Sequence, residues 1–108
     1  MCRPSGMRPV LHGDVSNAAR ALLLLPPGAR AGLGARMIRE AEAADAHVMR
    51  TGRVHPVWGN GSLMSAARKR LLADEPGFED DDYCACFEMV LRLIVEHRIS
   101  RRHRKCTS

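Results

Sequence analysis

PGARAGLGARMIREAEAADAHVMRT, residues 27–51, decides the fold. Leu33, Met37, Ala41, Ala44 and Val48 step along it by four and three residues, while Arg36, Arg39, Glu40, Glu42 and His47 fall on the other side. That spacing predicts an amphipathic helix with one face turned to a core. Pro27 suits the first helical turn, where its missing N–H is not needed, and Gly52 suits a left-handed C-terminal cap. Gly32 and Gly34 are the weak points, each costing about 1 kcal/mol against Ala in a helix interior.

Working outward, Pro26-Pro27 must close whatever precedes it. Val15, Ala18, Ala19 and Leu22 recur at helical spacing before that break, and Asp14 offers an N-cap oxygen, so a short apolar first helix is expected. After Gly52 the stretch from Arg53 to Gly61 has no period, one proline and two glycines, and it reads as a long ordered loop. Asn60 or Ser62 then caps a third helix with Leu63, Ala67 and Leu71 inward and Arg68, Lys69 and Arg70 outward, ending before Asp74 to Gly77. A fourth helix begins near Tyr83. Its inward set is Tyr83, Phe87, Val90, Leu91 and Ile94, widened by Cys84, Met89 and Leu93, which makes it the expected centre of the bundle. No strand-like alternation or internal repeat interrupts this pattern. The fold class is therefore all-α, a compact bundle of about four helices.

The boundaries follow. Residues 1–8 read as a flexible N-terminus, with Met7 a possible start, residues 9–99 as one helical domain, and residues 100–108 as a disordered basic tail. A chain of 108 residues has room for one core. One Trp, one Tyr and two Phe leave that core to aliphatic side chains and Ala, which argues against a roomy ligand pocket.

Charge is unevenly placed. The formal net charge is +5, and the acids and bases up to His97 cancel. Arg98, Arg101, Arg102, Arg104 and Lys105 supply the entire excess, so the body is neutral and the tail is a candidate docking element for nucleic acid or a partner protein. Part of the pattern needs no partner. The acids Glu79 to Asp82 and the base Arg98 complement the dipole of the fourth helix.

Cys84-Ala-Cys86 has the wrong spacing for a zinc ribbon or finger, and positions i and i+2 diverge by about 200° on a helix. Cys84 reads as core packing, and no metal or other cofactor is expected. The loop His55-Pro-Val-Trp-Gly-Asn-Gly-Ser62 runs into a helix N-terminus, where free N–H groups can hold an anion. His55, Trp58, Asn60 and Ser62 are accordingly candidate anion or partner residues, although the lysine of a phosphate-binding loop is missing. No spacing assembles a nucleophile with a base, paired carboxylates or a metal set, so no catalytic residue is assigned and no enzyme is expected.

No apolar run of about 18 residues is present, which excludes a membrane-spanning helix. The N-terminus lacks the cleavage pattern of a signal peptide, and two of the four cysteines sit near the termini, so a reduced cytoplasmic setting is expected. Small residues such as Gly28 and Gly32, or Ala41 and Ala44, permit close helix approach within the monomer or against another chain, which leaves the oligomeric state open. The stretch from Met7 to His97 resembles the small uncharacterised helical proteins of bacterial genomes grouped as domains of unknown function. That resemblance implies a bacterial cytoplasmic setting and transfers no site. The expected role is a non-enzymatic protein-interaction or regulatory module, with a small nucleic-acid-binding accessory protein that uses the basic tail as the alternative.

Overall fold

Leu11 is extended at φ −111°, ψ 172°, and its N–H donates to the Asp14 carboxylate at 2.8 Å, which starts helix α1 at His12 rather than at Asp14. Asp14 therefore sits in the first turn, where its negative charge suits the helix dipole. Helix α1 spans His12–Leu23, α2 Pro27–Thr51, α3 Leu63–Ala67 and α4 Asp81–Thr107 in this computed structural model, which describes residues 8–107 and the side chains of residues 8–102. Residues 1–7 of the expected flexible N-terminus, with the start expected at Met7, lie outside the described residues. Four helices and no strand among the described residues make the protein an all-α bundle.

Helix α1, and not α4, is the central element. Eight of its twelve residues are buried, and it packs against all three other helices. Small side chains explain the position, because Ala18, Ala19 and Ala21 let the other backbones come close while Val15 and Leu22 fill the space between them. Met37, Ile38 and Ala41 from α2, Leu63, Ala66 and Ala67 from α3, and Tyr83, Cys86, Val90 and Ile94 from α4 complete the core.

Helix α2 begins at Pro27 and ends at Gly52, whose φ of +74° is the left-handed cap the sequence predicts. Its inward face is Gly34, Met37, Ile38, Ala41 and Ala44, with Leu33 and Val48 at the margin. Gly34 stands where α4 crosses, and a Cβ there would lie 2.5 Å from Leu93 Cδ1. No such neighbour exists at Gly32.

Helix α3 is shorter than its apolar pattern predicts. It stops at Ala67, Arg68 takes the C-cap, and Leu71 is 83% exposed instead of inward. The chain then runs without regular structure to Asp80. Arg20 holds that segment to α1, receiving Ala73 N–H on its carbonyl and donating Nε to the Ala73 carbonyl at 2.7 Å. Asp80 Oδ1 accepts the Tyr83 N–H at 2.9 Å and caps α4.

Helix α4 is assigned as far as Thr107: no Gly or Pro follows Gly77, and Arg and Lys are good helix formers whose charge suits a helix C-terminus. One expectation for α4 changes, its core face. Cys86, not Cys84, is the buried thiol, while Cys84 is half-buried with Sγ donating to the Phe78 carbonyl, and Leu91 points outward at 46% exposure.

Candidate functional site

The loop between α2 and α3 holds His55, Trp58, Asn60 and Ser62 together. The His55 ring stacks on Trp58 with centroids 4.7 Å apart and planes within 12°. Its Nδ1 accepts the N–H groups of Val57 and Trp58 at 3.0 and 3.1 Å, which leaves the ring proton on Nε2. A reciprocal backbone pair between His55 and Gly59 closes the turn, and Gly59 and Gly61 adopt φ of +86° and +95°. At Gly61 a Cβ would also strike the Asp45 backbone. Asn60 Oδ1 accepts from Ser62 N–H and Ser65 Oγ, both at 2.9 Å, and Ser62 Oγ accepts the Ser65 N–H at 3.1 Å. The carboxylate that meets the start of α3 is the protein's own. Asp14 Oδ1 takes the Met64 N–H at 2.9 Å while Oδ2 holds Leu11 N–H, so one buried side chain joins two helix starts.

Of the basic residues, Arg98 and Arg102 are exposed. Arg101 is partly covered, with Nε 3.0 Å from Glu42 Oε2 without hydrogen-bond alignment; the same oxygen meets His97 Nε2 at 3.0 Å. Arg104 and Lys105 lie on the last turns of α4, and their side chains are outside the described residues. Arg98, Arg101, Arg102 and Lys105 occupy positions i, i+3, i+4 and i+7 of α4, which sets the described side chains of Arg98, Arg101 and Arg102 on one side of the helix. Arg70, expected to point outward, instead donates to Ala66 O and Glu40 Oε2 at 2.9 and 2.8 Å.

The sequence reading missed Arg30. Its Nε donates to the carbonyls of Leu22 and Leu25 at 3.1 and 3.0 Å, and its two terminal nitrogens grip the Asp82 carboxylate at 2.7 and 2.9 Å. The end of α1, the start of α2 and the start of α4 thus meet on one guanidinium that is only 6% exposed. The paired guanidinium holds the Asp82 carboxyl below the ordinary carboxylate range, whereas burial pushes the Cys86 thiol up. No sequence signal marks Arg30, since a base near a helix N-terminus runs against the helix dipole.

Also missed was the outward face of α4. Leu91, Val95 and Ile99 are 46%, 52% and 56% exposed and follow one another at four-residue steps, away from the core set Val90 and Ile94. Between this stripe and the start of α1 runs a groove of about 310 Å³ walled by Leu11, Phe87, Leu91, Val95 and Arg98. A second groove of the same volume lies between α2 and α4, beside Glu42 and His97. No group of three or more His, Cys, Asp or Glu side chains that could hold a metal ion occurs among the described residues.

A family model described as a domain of unknown function, DUF7742, matches residues 8–94. The chain belongs to the DUF7742 family. The match covers α1, α2, α3 and most of α4, including the Arg30–Asp82 junction and Leu91, and it ends before Val95 and the basic residues. No curated protein and no solved structure matches the chain. Among the described residues of this DUF7742 protein, no helix is long and apolar enough to cross a membrane.

Proposed function

We propose that this DUF7742 protein is a non-enzymatic interaction module of the bacterial cytoplasm that docks a protein partner on the outward face of α4. The observation behind this reading is the stripe Leu91, Val95 and Ile99, with Leu11 across the groove at 69% exposure. Scattered single aliphatics on a surface need no explanation, but a contiguous patch opposite the core-facing side of the same helix marks an interaction site. Its charged border, Arg98 and Arg102 beside the aliphatics, matches the usual arrangement of an apolar centre with a polar rim.

Affinity capture from the native host tests it. The wild type is expected to retain a defined protein at about 0.3 M salt, since apolar contacts are not screened, and Val95→Glu is expected to lose it. Removing residues 103–108, which keeps Arg102, should leave the partner bound. A partner indifferent to Val95→Glu would overturn the reading.

The helical register of Arg98, Arg101, Arg102 and Lys105 supports a second reading, a nucleic-acid-binding accessory protein. Four neutralised phosphates give a salt slope near about −3.6 on the logarithmic scale, and Arg98→Glu with Arg102→Glu should abolish binding. Arg101, already held at Glu42, would contribute least.

A further inference from the structure

The aliphatic stripe on the outward face of α4 is evenly spaced in both directions. Outward from Val95, Leu91 and Ile99 stand four positions away on either side, and Glu88 and Arg102 stand seven away. With about 100° per residue, all five fall within roughly 40° of the direction Val95 takes. All five are exposed, and neither Glu88 nor Arg102 forms an ion pair among the described residues. The aliphatic spacing is symmetric about Val95, while the charges at its two ends have opposite sign.

From this we infer that the occupant of the stripe is a second copy of the chain, with the two α4 helices antiparallel across a two-fold axis at Val95. In a two-fold contact residue i meets residue j and j meets i. Val95 then meets its own copy, Leu91 meets Ile99 of the other chain, and Glu88 meets Arg102 of the other chain, twice per dimer. A parallel arrangement would instead set Glu88 on Glu88 and Arg102 on Arg102. The whole helix has the same asymmetry: Asp81, Asp82 and Glu88 outnumber Arg92 in its first half, and Arg98, Arg101, Arg102, Arg104 and Lys105 outnumber Glu96 in its last, so antiparallel overlap brings unlike ends together. Leu11, beside Leu91 and Val95 in the groove, widens the apolar contact. One helix face with a short flanking segment falls below the standard interface of about 1,600 Å², and a dissociation constant of about 1–100 µM is expected.

This inference names the partner for the surface proposed above and rests on that reading. Its test is sedimentation equilibrium of the purified full chain, under reducing conditions, up to about 200 µM. The wild type should show a monomer–dimer equilibrium, and Val95→Glu should weaken it by at least about tenfold, because two carboxylates would face each other across the axis. Val95 is half exposed in the monomer, so the helical circular dichroism of that variant should match wild type. Glu88→Arg and Arg102→Glu should each weaken the dimer by about threefold to tenfold, and the two together should restore it, because the double exchange recreates the pairs with signs reversed. A monomer at all concentrations overturns the inference, whether the chain's own residues 1–7 or another protein then covers the stripe. A dimer unmoved by Val95→Glu, or a double exchange that fails to recover, does the same. The two proposals fail separately. A monomer that still captures a Val95-dependent protein from the host leaves the interaction module standing, whereas a dimer that captures nothing else removes the heterologous partner and keeps the self-pairing.

Discussion

Helix α4 has two apolar faces with different obligations. Tyr83, Cys86, Val90 and Ile94 are at most 4% exposed and pack on α1 and α2, while Leu91, Val95 and Ile99 are about half exposed. Hydrophobicity does not separate the faces, since both are apolar and both repeat at three or four residues. What separates them is what each meets. The inner face meets α1, whose alanines admit it closely; among the described residues the outer face meets Leu11 and the residues around it. A helix built for one core needs no second stripe, and this is the ground for the proposed interaction on the outer one.

The largest expected effect comes from neighbouring positions on those faces. Ile94→Ala leaves a cavity between α1 and α4 and should cost about 2–4 kcal/mol. Val95→Ala, measured at concentrations where the chain is monomeric, should stay within about 0.5 kcal/mol of wild type. Urea unfolding of both variants checks the pair. Similar losses at the two positions would show that the outer stripe is covered within the monomer.

Smaller effects belong to the junction that fixes which way α4 lies. Arg30→Met should cost about 1–3 kcal/mol, because the Leu22 and Leu25 carbonyls lose a shared donor. The Asp82 side of the junction predicts a pH dependence. Its carboxyl pKa is lowered in the folded protein, so its contribution is present above the ordinary carboxylate range and is lost as pH falls through the lowered value. Compared with Asp82→Asn, the wild type should therefore be more stable at neutral pH, and the difference should begin to shrink as pH falls below about 4 and vanish only below the lowered value. A gap that persists in acid would mean that Asp82 acts through shape rather than charge. Arg30 also orients the interaction surface, since rotating α4 at its start would turn Leu91 and Val95 with it.

Much of this architecture was legible in the sequence. Pro26-Pro27, the left-handed Gly52 and the step of α2 are local signals, and the structure places the breaks and the amphipathic face where they predict. The misplaced features are non-local. Leu91 stands four residues after Phe87, as a core residue would, and only the docking angle of α4 turns it outward. Cys84 and Cys86 exchange roles for the same reason. Helix α3 stops at Ala67 because the following segment is held to Arg20 rather than continued along Leu71 and Leu72, an anchor 53 residues away in sequence. Arg30 is buried because three chain segments converge on it. For candidate sites, the sequence marks the loop residues and the basic end by local pattern, yet the stripe at Val95 lay hidden among residues assigned to the core or left unassigned.

The smallest effect tests the crossing of α2 and α4 through its two glycines. Both lie within α2, where Gly is about 0.5–1 kcal/mol less favourable than Ala because it has more freedom to lose on folding. At Gly32 an added Cβ meets nothing within 4 Å, so Gly32→Ala should raise stability by about that amount, read as a shift in the urea midpoint at constant slope. At Gly34 the same methyl lies 2.5 Å from Leu93 Cδ1, so the side chain must rotate away and loosen the contact between the helices. Gly34→Ala should therefore lose the helical gain and fall about 1 kcal/mol or more below Gly32→Ala, because overpacking a tight contact costs about 1–3 kcal/mol. Leu93 lies on the opposite side of α4 from Val95, so any reorientation it forces would be transmitted to the outward stripe. A Gly34→Ala variant as stable as Gly32→Ala would mean that α4 moves freely over α2. The fixed presentation of Glu88, Val95 and Arg102, on which a two-fold pairing depends, would then lack its support.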